Sequence, residues 1–564
     1  MSRGFLHTTA LCMTTALMMA SCSPKLKPLS EQQFTAEPHP LELVGEHIPT
    51  TISVNIPTKW MHKKAKVSFL PVLRYAGGET WGMTETIQGE KVLDNHRSVS
   101  YVDGGIIRVN TRFDYSDPRL MQSDLYMTFN ATINGKTVQL PEVKIGEGTL
   151  ATQTLADASG ATPIIAPDAF QRIIKERFDA DIHFLIQQAN IRSQEWKKED
   201  VQEWKELVEN AQQTPNQRVS VEVQAYASPD GGVELNEKLS AQRERNTTSA
   251  LNKEWKKNVA INAHYTAQDW EGFRTFVEQS SIQDKELILR VLSMYSDPEE
   301  REQEIRNISV VYDQLAKEIL PRLRRSRLTA NIETIGKSDE ELSRLAHTSP
   351  ETLSIEELLY AVTLEGNPSN QERLYLKASQ LYPKDARAYN NIGSLYLQKG
   401  EEKKALEWYE RARSVQDLPE IRLNLALLSL DKGDLKRAEE LIGTSVATSS
   451  KGSNEVIALL YLKQGKYEQA LATYGETKSN NAAIAQLLTK NYKKALEILE
   501  SVERSNATTD YLKAIVSNRT GDKRGAMNYL REALRRNPNM VNRLRVDKEF
   551  ANLSQDGEFQ VLLR

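Results

Sequence analysis

"AYNNIGSLYLQKGEEKKALEWYERAR", residues 388–413, decides how the C-terminal part of this 564-residue chain folds. Gly400 divides the stretch in two, and large and small apolar residues recur on either side at helical spacing. A glycine at such a position ends a helix, because it accepts the left-handed backbone that a helix C-terminus requires. Working outward, glycines stand at 366, 400, 433, 465 and 521; the first three intervals are 34, 33 and 32 residues. Five residues after four of them comes an alanine, at Ala405, Ala438, Ala470 and Ala526, and Tyr409, Tyr474 and Leu530 lie four further on. One copy, "TKNYKKALEIL" with Ala495, lacks its glycine. Small residues where two helices approach, and large ones where the next pair docks, predict a stack of about six helix pairs over 352–540. Residues 541–564 read as capping helices.

This periodicity resembles the tetratricopeptide repeat, which implies an all-α solenoid whose concave face holds a peptide or a partner protein.

The rest of the chain reads differently. Residues 41–150 alternate apolar and polar side chains in short runs rich in Val, Ile, Thr and Tyr, with an Asn134-Gly135 hairpin signal, and predict a β-sandwich. Asp94 and His96 lie close together there, but such a pair in a turn reads as solvated. Residues 151–167, of Ala, Thr, Gly and Pro character, read as a linker. From 168 to 335 strands and helices alternate as β-α-β-α-β with an appended strand and a helical insertion at 266–322. "DIHFLIQQANI", 181–191, reads as its first strand, and 336–351 as a second linker. The fold class expected is thus multidomain α+β.

Within the central segment, "AYASPDGGVELNEKLSAQRERNTTSAL", 225–251, resembles the peptidoglycan-binding motif of the OmpA-like family. The resemblance spans about 179–335 and is clearest over 219–245. In that family an acid ends a strand and an arginine follows on the next helix. Together they grip the zwitterionic head of diaminopimelate in the wall stem peptide, acid on ammonium and guanidinium on carboxylate. Gly231, Asn236, Leu239, Ser240 and Arg243 take the motif positions, whereas Leu235 and Glu244 depart from it. Fifteen residues before Arg243, where the family carries its acid, stands Ser228; Asp230 lies two residues on. The resemblance implies a peptidoglycan site of Ser228, Asp230, Asn236 and Arg243. The alternative is a scaffold of an envelope assembly or secretion machine whose OmpA-like domain no longer binds the wall.

The first 21 residues have a basic start and an apolar stretch too short for a bilayer core of roughly 30 Å. "MASC" at 19–22 resembles a bacterial lipoprotein signal, implying that Cys22 is acylated and holds the chain on the outer membrane, facing the periplasm, with 22–40 as a tether. Cys12 and Cys22 are the only cysteines, so no disulfide is expected in the mature chain. A net charge of −3 gives no case for nucleic acid. No nucleotide, serine-hydrolase or zinc-hydrolase motif occurs, and no cofactor, metal or catalytic residue is expected. Trp196, Trp204, Trp255 and Trp270 read as packing residues.

Overall fold

A computed structural model describes residues 26–255, 258–282, 284–444 and 452–564. The signal segment and Cys22 lie outside the described residues. The chain forms two compact units: one built from the chain up to Pro167 together with Asn367–Arg564, the other from Asp168 to Gly366.

The first unit begins with two sheets. Strands Phe34–Glu37, His47–Ile56 and Gly105–Asp114 pair antiparallel in one; the other is seven-stranded around Ala65–Tyr75 and Asp124–Ile133. Alternation along the chain sets the faces. Ile48, Ile52, Val54 and Ile56 from one sheet share a core with Val67, Phe69, Met127 and Ile133 from the other. Asn134 and Gly135, both at positive φ, turn Asp124–Ile133 into Lys136–Val138. The expected tether is partly wrong: Leu26, Leu29 and Phe34 are buried in this core, because their apolar side chains reach it from the chain's edge.

Five helix pairs follow in the same unit: Ala386–Gln398 with Glu402–Val415, Pro419–Asp431 with Leu435–Gly443, Ser453–Lys463 with Tyr467–Tyr474, Asn480–Leu488 with Tyr492–Glu500, and Ala507–Arg519 with Lys523–Arg536. Helix Pro368–Leu381 precedes them. Gly400, Gly433, Gly465 and Gly521 adopt φ of 75°, 76°, 76° and 85°, the left-handed helix ends the spacing requires. Where the glycine is missing, Lys490 takes the same turn at φ 64°. Ala405, Ala438, Ala470, Ala495 and Ala526 are all fully buried between paired helices.

The second unit holds a four-stranded sheet in the order Ile173–His183, Arg325–Ile335, Gln217–Tyr226, Ala260–Thr266. Arg325–Ile335 runs antiparallel to both neighbours; Gln217–Tyr226 and Ala260–Thr266 are parallel, joined by the crossover helix Val233–Glu254. Helix Glu199–Gln213 buries Val201, Trp204, Val208 and Ala211 against the sheet. Trp204 and Trp255 lie in that core with ring centroids 5.6 Å apart. The first strand ends at His183, eight residues before the expected 191, and Leu185 and Gln188 beyond it turn their carbonyls to an arginine. Helices from Trp270 to Leu323 carry their own core of Phe273, Val277, Ile288, Leu292 and Leu315. The segment 336–351, expected as a linker, contains helix Asp339–Thr348, which the Ser338 hydroxyl caps by accepting from the Glu341 amide.

Candidate functional site

The motif turn of the second unit is built from its own polar side chains. Strand Gln217–Tyr226 ends, and Gly232 starts the next helix. Asn236 Nδ2 donates to the Ser228 carbonyl at 3.0 Å and the Gly231 carbonyl at 2.7 Å, closing the turn. Ser240 Oγ donates back to the Asn236 carbonyl at 2.8 Å. Ser228 and Asp230 meet: the serine hydroxyl donates to Asp230 Oδ1.

Arg243 is apart from them and 1 % exposed. Its Nε donates to the Gln188 carbonyl (2.9 Å), Nη1 to Tyr226 (2.8 Å) and Nη2 to Leu185 (3.3 Å). The Phe184 ring centroid lies 5.0 Å from the guanidinium carbon. Burial, with Arg324 nearby, pushes the Arg243 pKa down to about 10. These bonds tie three loop and strand-end carbonyls to the helix.

The guanidinium that does meet the acid is Arg324. Its Nη2 donates to Asp230 Oδ2 at 2.8 Å and its Nε to Ser228 Oγ at 3.1 Å, and both charged side chains are nearly buried. From the insertion, Arg306 Nη2 donates to the Asp230 carbonyl at 2.7 Å. Beside this cluster Trp270, Phe273, Ile305, Tyr312 and Leu320 line a small apolar crevice that Asp230 and Glu302 border. Burial raises the Glu302 pKa; Arg306 opposes that rise and the Asp230 charge adds to it. No spacing rule in the sequence pointed to Arg324, which stands 94 residues from Asp230. In the first unit, Asp94 is engaged by Lys66 at 3.0 Å rather than by His96.

A second site lies on the first helices of the repeat pairs. Residues 151–167, expected as a linker, run along it as a strap. Asn391 Oδ1 accepts from the Ala166 amide (2.8 Å) while its Nδ2 donates to the Ala166 carbonyl (3.1 Å). Asn424 grips Ile164 in the same two ways, both at 2.8 Å. Asn481 does so at Asp157, at 3.2 and 2.8 Å. Each of these asparagines stands nine residues before the left-handed residue of its own repeat, Gly400, Gly433 or Lys490. The clasp is thus a repeated feature of the solenoid. A carboxamide matches a peptide unit donor for acceptor, so it holds extended backbone whatever its side chains.

Other bonds fill the gaps. Glu455 accepts from the Thr162 amide at 3.1 Å, and Asn390 and Ser394 each donate to the Ile164 carbonyl at 3.0 Å. At the far end Arg543 donates to the Ala151 carbonyl, and Gln153 bridges Gly45, Lys463 and Tyr467. Leu155, Ala156, Ala158, Ala161 and Ile164 enter the core of the repeats. Small side chains let the strap lie close, which is why its composition imitates a flexible linker.

Residues 374–407 match the family described as tetratricopeptide repeat. No curated protein matches the chain. Among solved structures, one from an APC/C hetero-tetramer, Cut9-Hcn1, is 18 % identical with a TM-score of 0.30; the match covers 40 % of this chain and 45 % of that one. A tetratricopeptide repeat protein from Parabacteroides merdae is 17 % identical over 40 % of this chain and 89 % of its own, with a TM-score of 0.27. Pseudomonas aeruginosa pilF is 15 % identical over 38 % of this chain and 99 % of its own, with a TM-score of 0.28. The C-terminal part therefore carries tetratricopeptide repeats, on the strength of the family match and the helix pairs with their glycine ends. Repeats of this kind suggest a protein–protein interaction scaffold or adaptor.

Proposed function

We propose that this chain is a non-enzymatic, lipid-anchored scaffold of a bacterial cell envelope. In this reading Cys22 carries the anchor, the second unit is an OmpA-like module used for docking, and the repeats recruit a protein partner through surfaces the strap leaves free. The observation that carries it is the row of asparagine clasps. The helices that carry Asn391, Asn424 and Asn481 offer carboxamides that hold protein backbone, and here they hold the chain's own residues 157–166. The run of strands and helices in the second unit supports the OmpA-like assignment. The three carbonyls on Arg243 argue for docking over wall binding, since that guanidinium is already spent on the fold.

One arrangement favours a second reading, a peptidoglycan tether. Asp230 and Arg324 form an acid–guanidinium pair at the motif turn. If they part, the acid takes an ammonium and the guanidinium a carboxylate, as a zwitterionic stem peptide requires. Sedimentation with purified sacculi decides between the two. The scaffold reading expects the mature chain to stay in the supernatant. Sedimentation that Arg324→Ala or Asp230→Asn abolishes makes the tether the function.

A further inference from the structure

One end of the β-rich part of the first unit gathers three loops. Lys59 donates its amide to the Tyr101 carbonyl at 2.6 Å, and the Lys91 amide donates to the Lys63 carbonyl at 2.7 Å. Tyr101 donates its amide to Glu90 at 3.3 Å, and Arg97 donates to the Ile106 carbonyl at 2.9 Å. Segments 57–66, 89–97 and 100–106, loops with the strand ends that flank them, are thereby bonded together at one end.

That surface is unusual in two ways. It exposes large apolar side chains: Leu93 at 98 %, Val102 at 60 % and Ile106 at 60 %. Single exposed apolar residues need no explanation, but Leu93 and Val102 stand on two of these segments and Ile106 opens the strand Gly105–Asp114 at the same end, so that end gathers three. It is also basic. Lys59, Lys63, Lys64, Lys66, Lys91 and Arg97 face Glu90, Asp94 and Asp103, six cations against three acids, in a chain whose overall charge is −3. Lys63 and Lys66 hold Glu90 and Asp94 in ion pairs. Lys59, Lys64 and Lys91 are exposed and have no ion pair among the described residues.

The chain's N-terminal segment arrives at the same end. Trp60, buried beside these loops, donates Nε1 to the Lys27 carbonyl at 2.7 Å. Five residue steps separate Cys22 from Lys27, and at ~3.6 Å each they reach about 18 Å. A chain anchored at Cys22 would thus have its anchor at most about 18 Å of extended backbone from Lys27.

We propose that this basic, apolar-tipped end of the first unit is a membrane-facing surface that lies on a bilayer with anionic headgroups. Leu93, Val102 and Ile106 enter the headgroup boundary while Lys59, Lys64 and Lys91 meet lipid phosphates. The inference rests on the reading of Cys22 as the lipidated residue, and its test is made independent of that reading by a surrogate anchor.

The full mature chain from Ser23, with an N-terminal hexahistidine tag, is held on vesicles of phosphatidylethanolamine, phosphatidylglycerol and a nickel-chelating lipid. It contains no cysteine, because Cys12 and Cys22 are the only two in the sequence. A single thiol introduced as Leu93→Cys or Val102→Cys then carries a polarity-sensitive fluorophore. Val561→Cys, 64 % exposed in the last helix of the same unit, is the reference. Labels at 93 and 102 are expected to shift to the blue and to be quenched by bromolipid, while the label at 561 keeps its aqueous emission. On tag-free protein, Lys59→Glu, Lys64→Glu and Lys91→Glu together are expected to lower partition onto the same vesicles roughly tenfold or more. Aqueous emission at 93 and 102 on the anchored protein overturns the proposal. So does a blue shift that arises only on adding envelope proteins without vesicles, which would make the surface a protein-docking site. Palmitate labelling of the wild type against Cys22→Ala tests the lipidation itself, and its outcome does not alter the vesicle result.

Discussion

Replacing Asn424 by leucine tests whether the strap is held as a bound peptide. Leucine matches asparagine in size, so it fills the site and keeps water out, but it neither donates nor accepts. The Ile164 carbonyl keeps Asn390 and Ser394 as donors. The Ile164 amide loses its acceptor in a buried setting. A buried amide left without a partner costs about 1–3 kcal/mol, so about 2 kcal/mol is expected here. Hydrogen exchange of the 155–166 amides reads this as local opening. In the wild type the Ile164 amide is expected to be strongly protected; in Asn424→Leu it is expected to exchange about thirtyfold faster, the equivalent of about 2 kcal/mol. Asn424→Asp should fall between, since a carboxylate still accepts from the amide but repels the carbonyl. If the wild-type Ile164 amide exchanges like that of an unstructured peptide, or if Asn424→Leu leaves its rate unchanged, the segment is a linker and the clasp argument fails.

Arg243→Met is expected to lower the thermal midpoint of the second unit by orphaning three carbonyls, an effect that calorimetry reads without any ligand. Gly465→Ala should destabilise the first unit more than Gly433→Ala. Both sit at φ 76°, but a Cβ at 465 would stand 2.7 Å from the Gly45 amide nitrogen, whereas nothing lies within 4 Å at 433; urea unfolding of the two variants gives the comparison. Lys490→Gly should stabilise the first unit by about 1 kcal/mol, because it removes a side chain from a left-handed turn. Burial lowers the His183 pKa below its ordinary 6.5, so the unfolded chain binds the proton more readily; the second unit should lose stability as pH falls through 6.5, and His183→Gln should flatten the pH dependence of its melting between pH 7 and 5.

The repeats were legible because their constraint is local. A helix that ends and turns back needs a left-handed residue, and glycine supplies it at 400, 433, 465 and 521. The copy without glycine kept the geometry at Lys490 and lost only the signal. The strap was illegible for the opposite reason. Backbone clasps ask nothing of the side chains they hold, which are those of Asp157, Ile164 and Ala166, so "ASGATPIIAP" at 158–167 reads as a linker. The information sits on the other partner, as asparagines nine residues before three of the five left-handed helix ends, Gly400, Gly433 and Lys490, and becomes visible only once the repeats are aligned. At the motif turn, the side chains of Asn236 and Ser240 bond to the turn and to their own helix. Arg324 comes from a distant strand start, and pairing across 94 residues leaves no spacing to read.

The clasps also explain how the first unit survives having another inserted into it. The chain leaves at Pro167, directly after Ala166 is gripped by Asn391, and re-enters at Asn367, whose helix Pro368–Leu381 packs on the Ala386–Gln398 helix that carries Asn391. Exit and return therefore meet the same end of the solenoid, and the inserted unit interrupts no helix pair. The strap ties that end to the β-rich part through Gln153, Tyr467 and Gly45. Loop-closure entropy for the 199 residues from Asp168 to Gly366 grows only logarithmically with length, so a few buried clasps and apolar side chains offset it. A chain cut between Pro167 and Asp168 should therefore keep its first unit folded, with the 155–166 amides still protected. Loss of that protection on cutting would mean that the inserted unit, and not the clasps, holds the strap in place.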